Sequence, residues 1–212
     1  MKKHARLVSV VALAVVAFGA AGCFGRYLRW RAMPAAAALV GKVELVVVDH
    51  REPKRGGIDT RVIGNERNGW GIPFAIRLPT PTEAGESVRD LFGMAANSSG
   101  IGVAPIGDTA ITSRVSVEIQ NLWCDGYPPV YKASMIAAVS LLGPDNSVRM
   151  PAVPLAVEGV GWGCQAAYEK ALSNGYQAAV ALMSQEGFRA AAASGGTAVA
   201  PPPPAPVAPP AQ

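Results

Sequence analysis

Histidine is nearly absent from this chain of 212 residues, which contains two. His4 falls in the N-terminal leader, so His50 is the only histidine left for a folded domain. A Ser-His-Asp or Cys-His arrangement would have to use His50, and its charged neighbours Asp49 and Arg51 are typical of a solvated strand end. The chain also contains no G-x-S-x-G and no Walker phosphate-binding motif. We expect no enzymatic activity, and a hydrolase built around His50 is the least favoured alternative.

Cysteine is scarce as well, because the chain has only Cys23, Cys124 and Cys164. None of them forms a C-x-x-C pair and only one histidine follows the leader, so we expect no metal site. The glycines between residues 93 and 107 follow a predicted helix and precede a predicted strand, the reverse of the order in a dinucleotide-binding loop. No cofactor is expected. Four scattered acids show no spacing that selects a catalytic pair: Asp49, Glu52, Glu66 and Asp108.

The first 22 residues have the layout of a secretory signal peptide. Residues 1–6 carry Lys2, Lys3 and Arg6, whereas residues 7–21 contain no charge and are rich in Val and Ala. This apolar run is shorter than the roughly 20 residues that a membrane-spanning helix needs. Residues 1–22 are therefore predicted to direct export and to be removed from the mature protein.

Cys23 directly follows three small residues, Ala20, Ala21 and Gly22. This arrangement resembles the lipobox of bacterial lipoproteins, which implies cleavage before Cys23 and acylation of the cysteine, with palmitate among the acyl groups. Several acyl chains on one residue make a durable anchor, because each buried CH₂ contributes about 0.8 kcal/mol. The sequence departs from the lipobox at Ala20, where Leu is most usual. The alternatives are that Cys23 is lost with an ordinary signal peptide or is kept in an uncleaved anchor.

Residues 23–41 are predicted to form the lipid anchor and a tether. The residue after the anchor is Phe24 and not Asp, which by analogy with enterobacterial sorting favours the outer membrane, with the domain facing the periplasm. Arg26, Arg29 and Arg31 are interleaved with aromatic residues, a composition that suits a membrane interface. The alternative for this segment is a plain tether.

The positive charge of the chain belongs to the targeting region. The formal net charge of the whole chain is +4, and it falls to +1 when Lys2, Lys3 and Arg6 leave with the signal peptide. Without the three arginines of the tether, the rest of the mature chain is about neutral or slightly acidic, so no nucleic-acid binding is expected. The expected partners are the membrane, through the lipid on Cys23, and one or more envelope proteins.

Residues 42–189 are predicted to form a single α+β domain with a mixed or antiparallel sheet of about five to seven strands and two helices on one face. Gly64 is expected to stop the second strand, and Pro73 places the third strand at an edge of the sheet. β-branched or alternating apolar runs predict strands at 42–49, 60–63, 72–78, 101–104, 113–123, 131–142 and 153–160.

The two predicted helices have different signals. The first begins where Thr80, Pro81 and Glu83 match a capping box. The second is an alanine-rich stretch, Gln165–Arg189, with apolar residues along one stripe. Gly175 lies in the middle of this helix, where we expect it to bend or interrupt the backbone.

Residues 190–212 are rich in Ala, Gly and Pro, which predicts a disordered, partly polyproline tail. It is either an inert end or a segment that touches a partner. The second function considered is a periplasmic carrier of a lipid or apolar ligand, or an auxiliary lipoprotein of a transport system. It would need a cleft between helices and sheet, although the same residues are better explained as solid core: Phe74, Leu91, Phe92, Met135 and Tyr176.

Cys124 and Cys164 are the only thiols left once Cys23 is lipidated. In an oxidising, exported setting an even pair is most simply a disulfide. It would close a loop of about forty residues and contribute about 3–4 kcal/mol in the chain-entropy model. Trp123 and Trp162 lie close to the two cysteines and are expected to shield the bond. The alternative is two buried free thiols.

Several of these features together resemble the YajG-like group of bacterial lipoproteins. They are the lipobox, the strand Val43 to Asp49 followed by His50-Arg51, the Ile63-Gly64 pair, the capped helix, and the closing strands and helix. The resemblance covers Lys42 to Met183 and implies a small α+β domain at the outer membrane, with no functional residues to carry over. The predicted function is a non-enzymatic, lipid-anchored envelope protein that binds or scaffolds other envelope components.

Overall fold

The computed structural model describes residues 41–51, 59–67 and 71–194. The predicted signal peptide, the lipidation site Cys23 and the proline-rich part of the tail lie outside these residues. Within the three described ranges, no helix is long and apolar enough to cross a bilayer.

The described residues form one mixed sheet of seven strands, organised around β5. β6 runs antiparallel along one edge of β5, and β7 runs antiparallel beside β6. On the other edge of β5, β1 runs parallel to its first half, and β2 pairs with β5 further along, at Cys124. β4 pairs with β1 and β3 with β2. The strands are β1 (Lys42–Asp49), β2 (Val62–Arg67), β3 (Pro73–Arg77), β4 (Gly102–Ala104), β5 (Ser113–Tyr127), β6 (Val130–Leu142) and β7 (Val148–Gly161).

Three helices accompany the sheet in the described part of the chain: α1 (Glu83–Ser98), α2 (Cys164–Met183) and α3 (Glu186–Ala193). The predicted α+β domain with helices on one face is confirmed. The prediction of one closing helix, Gln165–Arg189, is wrong, because the backbone at Gln185 is extended and separates α2 from α3. α3 buries Phe188, Ala191 and Ala192. The domain therefore extends beyond residue 189, where the tail was predicted to begin.

The capping box predicted at the start of the first helix is not formed. α1 begins at Glu83 with Thr82 as its N-cap, and no side chain caps its first turn. The Thr80 hydroxyl lies 3.2 Å from the Thr82 hydroxyl and does not reach the helix amides. The turn is closed instead by backbone bonds, because the amide of Glu86 donates to the carbonyl of Thr82 at 3.0 Å.

Glycines allow α2 to lie directly on the sheet. A Cβ atom at Gly159 of β7 would stand 2.2 Å from the carbonyl oxygen of Ala167 and 2.3 Å from the amide nitrogen of Ala171. A Cβ at Gly175 would stand 2.4 Å from the Cε atom of Met135. α2 passes through Gly175 without a break, so an interruption of the helix at this residue is wrong. This glycine serves close packing instead.

The second half of β5 keeps its apolar face on the core through a change of register. A bulge between Ile119 and Asn121 adds a residue to β5, so that both Ile119 and Leu122 are buried. Gly64 does not stop β2 as predicted. It lies inside the strand, where a Cβ would be 2.5 Å from the carbonyl oxygen of Cys124. The missing side chain lets β2 come close to the backbone of β5.

The chain enters and leaves the described domain at the same place. Gly41 lies against Ala193, since a Cβ atom at Gly41 would stand 3.2 Å from the Cα of that residue. The buried guanidinium of Arg149 holds this junction together, because its Nη1 donates to the carbonyl oxygen of Thr112 at 2.9 Å, to the Ser113 hydroxyl at 2.6 Å and to the carbonyl oxygen of Ser194. Both described chain ends are thus fixed to the start of β5.

An ion pair strengthens the same end of the sheet. The Nε of Arg114 donates to Oε2 of Glu44 at 2.7 Å, and the amide of Gly107 donates to Oε1 at 3.0 Å. The hydrogen bond from Gly107 and that from Arg114 hold the pKa of Glu44 below its ordinary value. Arg114 also donates to the Asn146 side chain at 2.7 Å. The pair therefore links β1, β5 and the turn that follows β6.

Replacing Gly159 with Ala tests the close approach of α2. The added methyl group would overlap the α2 backbone, so we expect Gly159→Ala to lower the free energy of unfolding by about 2–3 kcal/mol, measured by urea denaturation. Gly85→Ala is the matched control, because nothing lies within 4 Å of its Cβ position. It should be neutral or stabilise the helix by up to about 1 kcal/mol. Equal effects of the two substitutions would contradict the packing described.

Candidate functional site

Asp49, the described acid next to the histidine considered for a hydrolase, is already paired with an arginine. The two carboxylate oxygens of Asp49 accept hydrogen bonds from Nε and Nη2 of Arg51, at 2.8 and 2.7 Å. Burial raises the pKa of Asp49, but the hydrogen bonds and charge of Arg51 outweigh it and hold that pKa below its ordinary value. The backbone amide of His50 donates to the carbonyl oxygen of Ile119 at 2.9 Å. His50 thus continues the pairing of β1 with β5. The carboxylate of its neighbour Asp49 is already bound by Arg51.

The scattered acids stay apart. Asp108 pairs with Lys42 at the beginning of β1, whereas Asp49 lies at the end of the same strand, about 20 Å away. Glu66 is in β2, beside the position of Gly163, and Glu52 lies outside the described residues. In the ranges that the structure covers, no three His, Cys, Asp or Glu side chains are grouped so as to hold a metal ion.

Four of the five residues considered for an apolar cleft belong to the core or pack against it, and the fifth, Phe74, is half-buried in β3. Leu91, Phe92 and Met135 have no exposed surface. Met135 and Leu91 both meet α2 at Gly175, where even a methyl group would overlap. The hydroxyl of Tyr176 is 2.8 Å from the Ser98 hydroxyl, which joins α2 to α1. At this point the packing supports the solid core that the sequence favoured.

Cys124 and Cys164 form a disulfide bond, in agreement with the pairing predicted from the sequence. The bond joins the second half of β5 to the first residue of α2. Next to it, the fully buried Tyr168 donates its hydroxyl to the carbonyl oxygen of Ile63. Burial raises the pKa of this hydroxyl well above its ordinary value. The start of α2 is therefore fixed to the sheet by both a covalent bond and a hydrogen bond.

Among the described residues, four of the eight exposed large apolar side chains lie together at one end of the sheet. We call Tyr127, Val130, Val160 and Trp162 the aromatic rim; their exposed fractions are 62%, 54%, 49% and 86%. The disulfide is shielded as expected, because both of its cysteines are fully buried, but the exposed Trp162 contributes little to that shielding. Apolar surface gathered in one place is a mark of an interaction site.

Strand register places the rim on the face of the sheet away from α2. Tyr127 is paired with Val130 across the β5–β6 turn. Tyr131 is paired with Gly161, so the same register carried one residue further puts Trp162 opposite Val130. Gly161 faces α2, since a Cβ there would be 2.6 Å from the Ala167 amide nitrogen. Because successive residues alternate between faces, Tyr127 and Val130 lie on the opposite face, and Trp162, the residue that follows β7, continues their row.

Arg67 holds one side of this row. Its guanidinium carbon lies 4.3 Å from the centre of the Tyr127 ring, a cation–π contact. The backbone amide of Arg67 donates to the Tyr131 hydroxyl at 3.0 Å, and that hydroxyl donates to the Arg67 carbonyl oxygen at 2.7 Å. These contacts fix Tyr127 in place, so the rim is organised before any partner arrives.

The aromatic rim lies far from the chain ends. Arg149, which binds Ser194, is at the start of β7, and Trp162 follows it by thirteen residues. At about 3.3 Å per residue this separation is about 40 Å. The domain thus presents its chain ends at one end and its aromatic rim at the other.

Comparisons with known proteins support the fold. No protein-family model and no curated protein sequence matches the chain. A crystal structure from Xanthomonas campestris, of the family DUF330, is 16% identical with a TM-score of 0.50, over 76% of this chain and 93% of that one. The PelC dodecamer of Paraburkholderia phytofirmans is 12% identical, TM-score 0.41, over 74% and 92%. A Neisseria meningitidis lipoprotein is 8% identical, TM-score 0.38, over 68% and 97%. The first of these shows a shared fold.

Removing the disulfide tests its contribution to stability. The bond closes a loop with a sequence separation of 40, so we expect Cys124→Ser with Cys164→Ser to lower the free energy of unfolding by about 3–4 kcal/mol. Adding reductant to the wild-type protein should reproduce the loss, whereas the double variant should not respond to it. Urea denaturation curves that do not change with reductant would contradict this prediction.

Proposed function

We propose that this protein is a non-enzymatic, lipid-anchored component of the bacterial cell envelope that binds or scaffolds other envelope components through the aromatic rim. The anchor is the acylated Cys23 at the outer membrane, with the domain in the periplasm. The YajG-like group of lipoproteins is the family to which we assign the chain. The observation that carries the proposal is the position of the rim at the end of the sheet opposite the chain ends.

The disulfide supports an exported location. Bonds such as Cys124–Cys164 persist in oxidising compartments and are rare in the cytosol. The predicted signal peptide and the small residues before Cys23 also indicate export. A domain tethered through Gly41 is free to turn its rim away from the anchor, because the rim is about 40 Å from that entry point.

A binding role is better supported than the two alternatives. A carrier for an apolar ligand needs a cavity under the helices, and the contact of Gly175 with Met135 fills the interface there. A hydrolase needs a carboxylate available to His50, and that of Asp49 is bound by Arg51. The rim, in contrast, is an exposed apolar surface with one side chain fixed by a neighbour.

Replacing Cys23 with Ser tests the anchor. Without the sulfur no acyl chain is attached, so we expect the protein to leave the membrane fraction and to keep its unprocessed leader, as followed by fractionation and intact-mass spectrometry. Phe24→Ala is the control, because it keeps the thiol and should fractionate like the wild type. Unchanged processing and an unchanged membrane fraction of Cys23→Ser would contradict acylation.

In-cell photo-cross-linking tests the binding surface. A photo-reactive amino acid at Val130 should give specific cross-linked products, whereas the same group at Ile106 should give few. Ile106 is the control because it is 70% exposed but follows β4 near the Glu44 end of the sheet. Trp162→Ala should reduce the Val130 products at least about threefold without loss of folding, since this side chain has few contacts. Equal yields from the two positions would contradict a binding role for the rim.

A further inference from the structure

The row of side chains in the aromatic rim has the spacing of a polyproline helix. Tyr127 is the last residue of β5 and Trp162 directly follows the last residue of β7, and these are the two strands that flank β6. Neighbouring strands are about 4.8 Å apart, so these two aromatic side chains start about 9.6 Å from each other. A polyproline II helix rises about 3.1 Å per residue and repeats every three residues, which gives about 9.3 Å per turn. Prolines at positions i and i+3 therefore match the two rings.

The chain itself contains such prolines. The segment from Pro201 to Pro210 has the sequence PPPPAPVAPP. Three pairs of prolines stand three residues apart in it: Pro201 with Pro204, Pro203 with Pro206, and Pro206 with Pro209. We propose that the aromatic rim binds this proline-rich segment of a second copy of the chain. The inference deepens the proposed function, because it names an occupant for the same surface.

The length of chain between the domain and these prolines favours a second copy. Ser194 is held by Arg149 about 40 Å from Trp162. Pro201 and Pro203 follow Ser194 by seven and nine residues, which reach at most about 25 and 32 Å when fully extended. Only the last pair can reach the rim, because Pro206 can lie up to about 42 Å from Ser194. Two of the three pairs therefore cannot reach the rim of their own domain.

The chemistry of the rim suits a polyproline ligand. Such helices have no internal hydrogen bonds, so their carbonyl oxygens are free to accept one. Trp162 offers an exposed indole N–H on a ring that is 86% exposed, and aromatic-lined grooves are the usual receptors for proline-rich segments. Val130 forms an apolar floor between the two aromatic residues.

A lipid surface fits the rim less well. Asp125 and Lys132 lie two residues inward from Tyr127 and Val130 on the same face. Glu158 follows, paired with Lys132 at 2.7 Å. Insertion of the rim into a membrane would remove these charges from water, which costs free energy. A peptide lying along the row across the strands leaves them solvated.

Contact between the tail of one copy and the rim of the next joins two different surfaces. Two copies that exchange tails form a closed dimer, and exchange between successive copies gives rings or chains. Self-assembly of this type gives a scaffold that a monomer cannot provide.

Titration with a tail peptide tests the inference. The receptor is the full-length protein in detergent, with Pro204→Ser and Pro206→Ser so that its own tail lacks every i, i+3 pair. The probe is a labelled peptide of residues 200–212, followed by fluorescence anisotropy. We expect a Kd below about 1 mM. Trp162→Ala and Tyr127→Ala in the receptor should each weaken binding at least about tenfold, and Ile106→Ala should leave it unchanged.

Two peptides of equal proline content separate spacing from composition. The P204S/P206S peptide loses all three pairs and should bind at least about tenfold more weakly. The P202S/P210S peptide keeps all three and should bind like the wild type. In parallel, sedimentation of the full-length wild-type protein should show association that excess wild-type peptide reverses.

Several results would overturn the inference. They are no binding of the peptide at about 1 mM, equal binding of the two substituted peptides, or indifference to Trp162→Ala. Trp162-dependent binding to phosphatidylcholine vesicles without peptide binding would assign the rim to a membrane. Rim cross-links to other envelope proteins without peptide binding would refute this inference and leave the proposed function intact. Failure of the Cys23→Ser test would affect the anchor alone.

Discussion

The close approach of α2 to β6 and β7 is the constraint on which the rest of the structure depends. A Cβ atom at Gly159 would overlap the backbone of α2, and one at Gly175 would meet the end of the Met135 side chain. The disulfide at Cys164 fixes the first residue of the helix to β5. With α2 held in this way, one face of the sheet is fully covered. Among the described residues, side chains beyond the start of the helix, such as Trp162, are exposed.

Much of this fold follows from sequence patterns, because alternation is a strong signal where one face of a strand is covered. The order β5–β6–β7 and the bounds of β1 were predicted in this way. The pairing of Cys124 with Cys164 followed from the count of thiols. Glycine was the main source of error. Its absent side chain allows either a bend or a close contact, and only the neighbour across the sheet, such as Cys124 opposite Gly64, decides between them.

The aromatic rim could not be predicted from the sequence. Tyr127 and Trp162 are far apart in the chain. Tyr127 stands beside the turn at 128–129 and Trp162 near Cys164, so each residue had a local explanation that did not involve an exposed surface. Their common row depends on the register of three strands, which is set by the bulge at Asn121 and by the turn at 128–129. The Gly-Trp-Gly sequence at 161–163 was the available signal, since a tryptophan between two glycines has little local packing.

Arg149 has a mechanical consequence. It binds Ser194 beside Gly41, so a pull applied between the two described chain ends would load this guanidinium and its carbonyl partners first. The hydrogen bonds that join β6 to β5 and to β7 lie outside that load path. Tension along the chain would therefore open a short polar junction and peel α3 away, while the sheet and its disulfide stay intact.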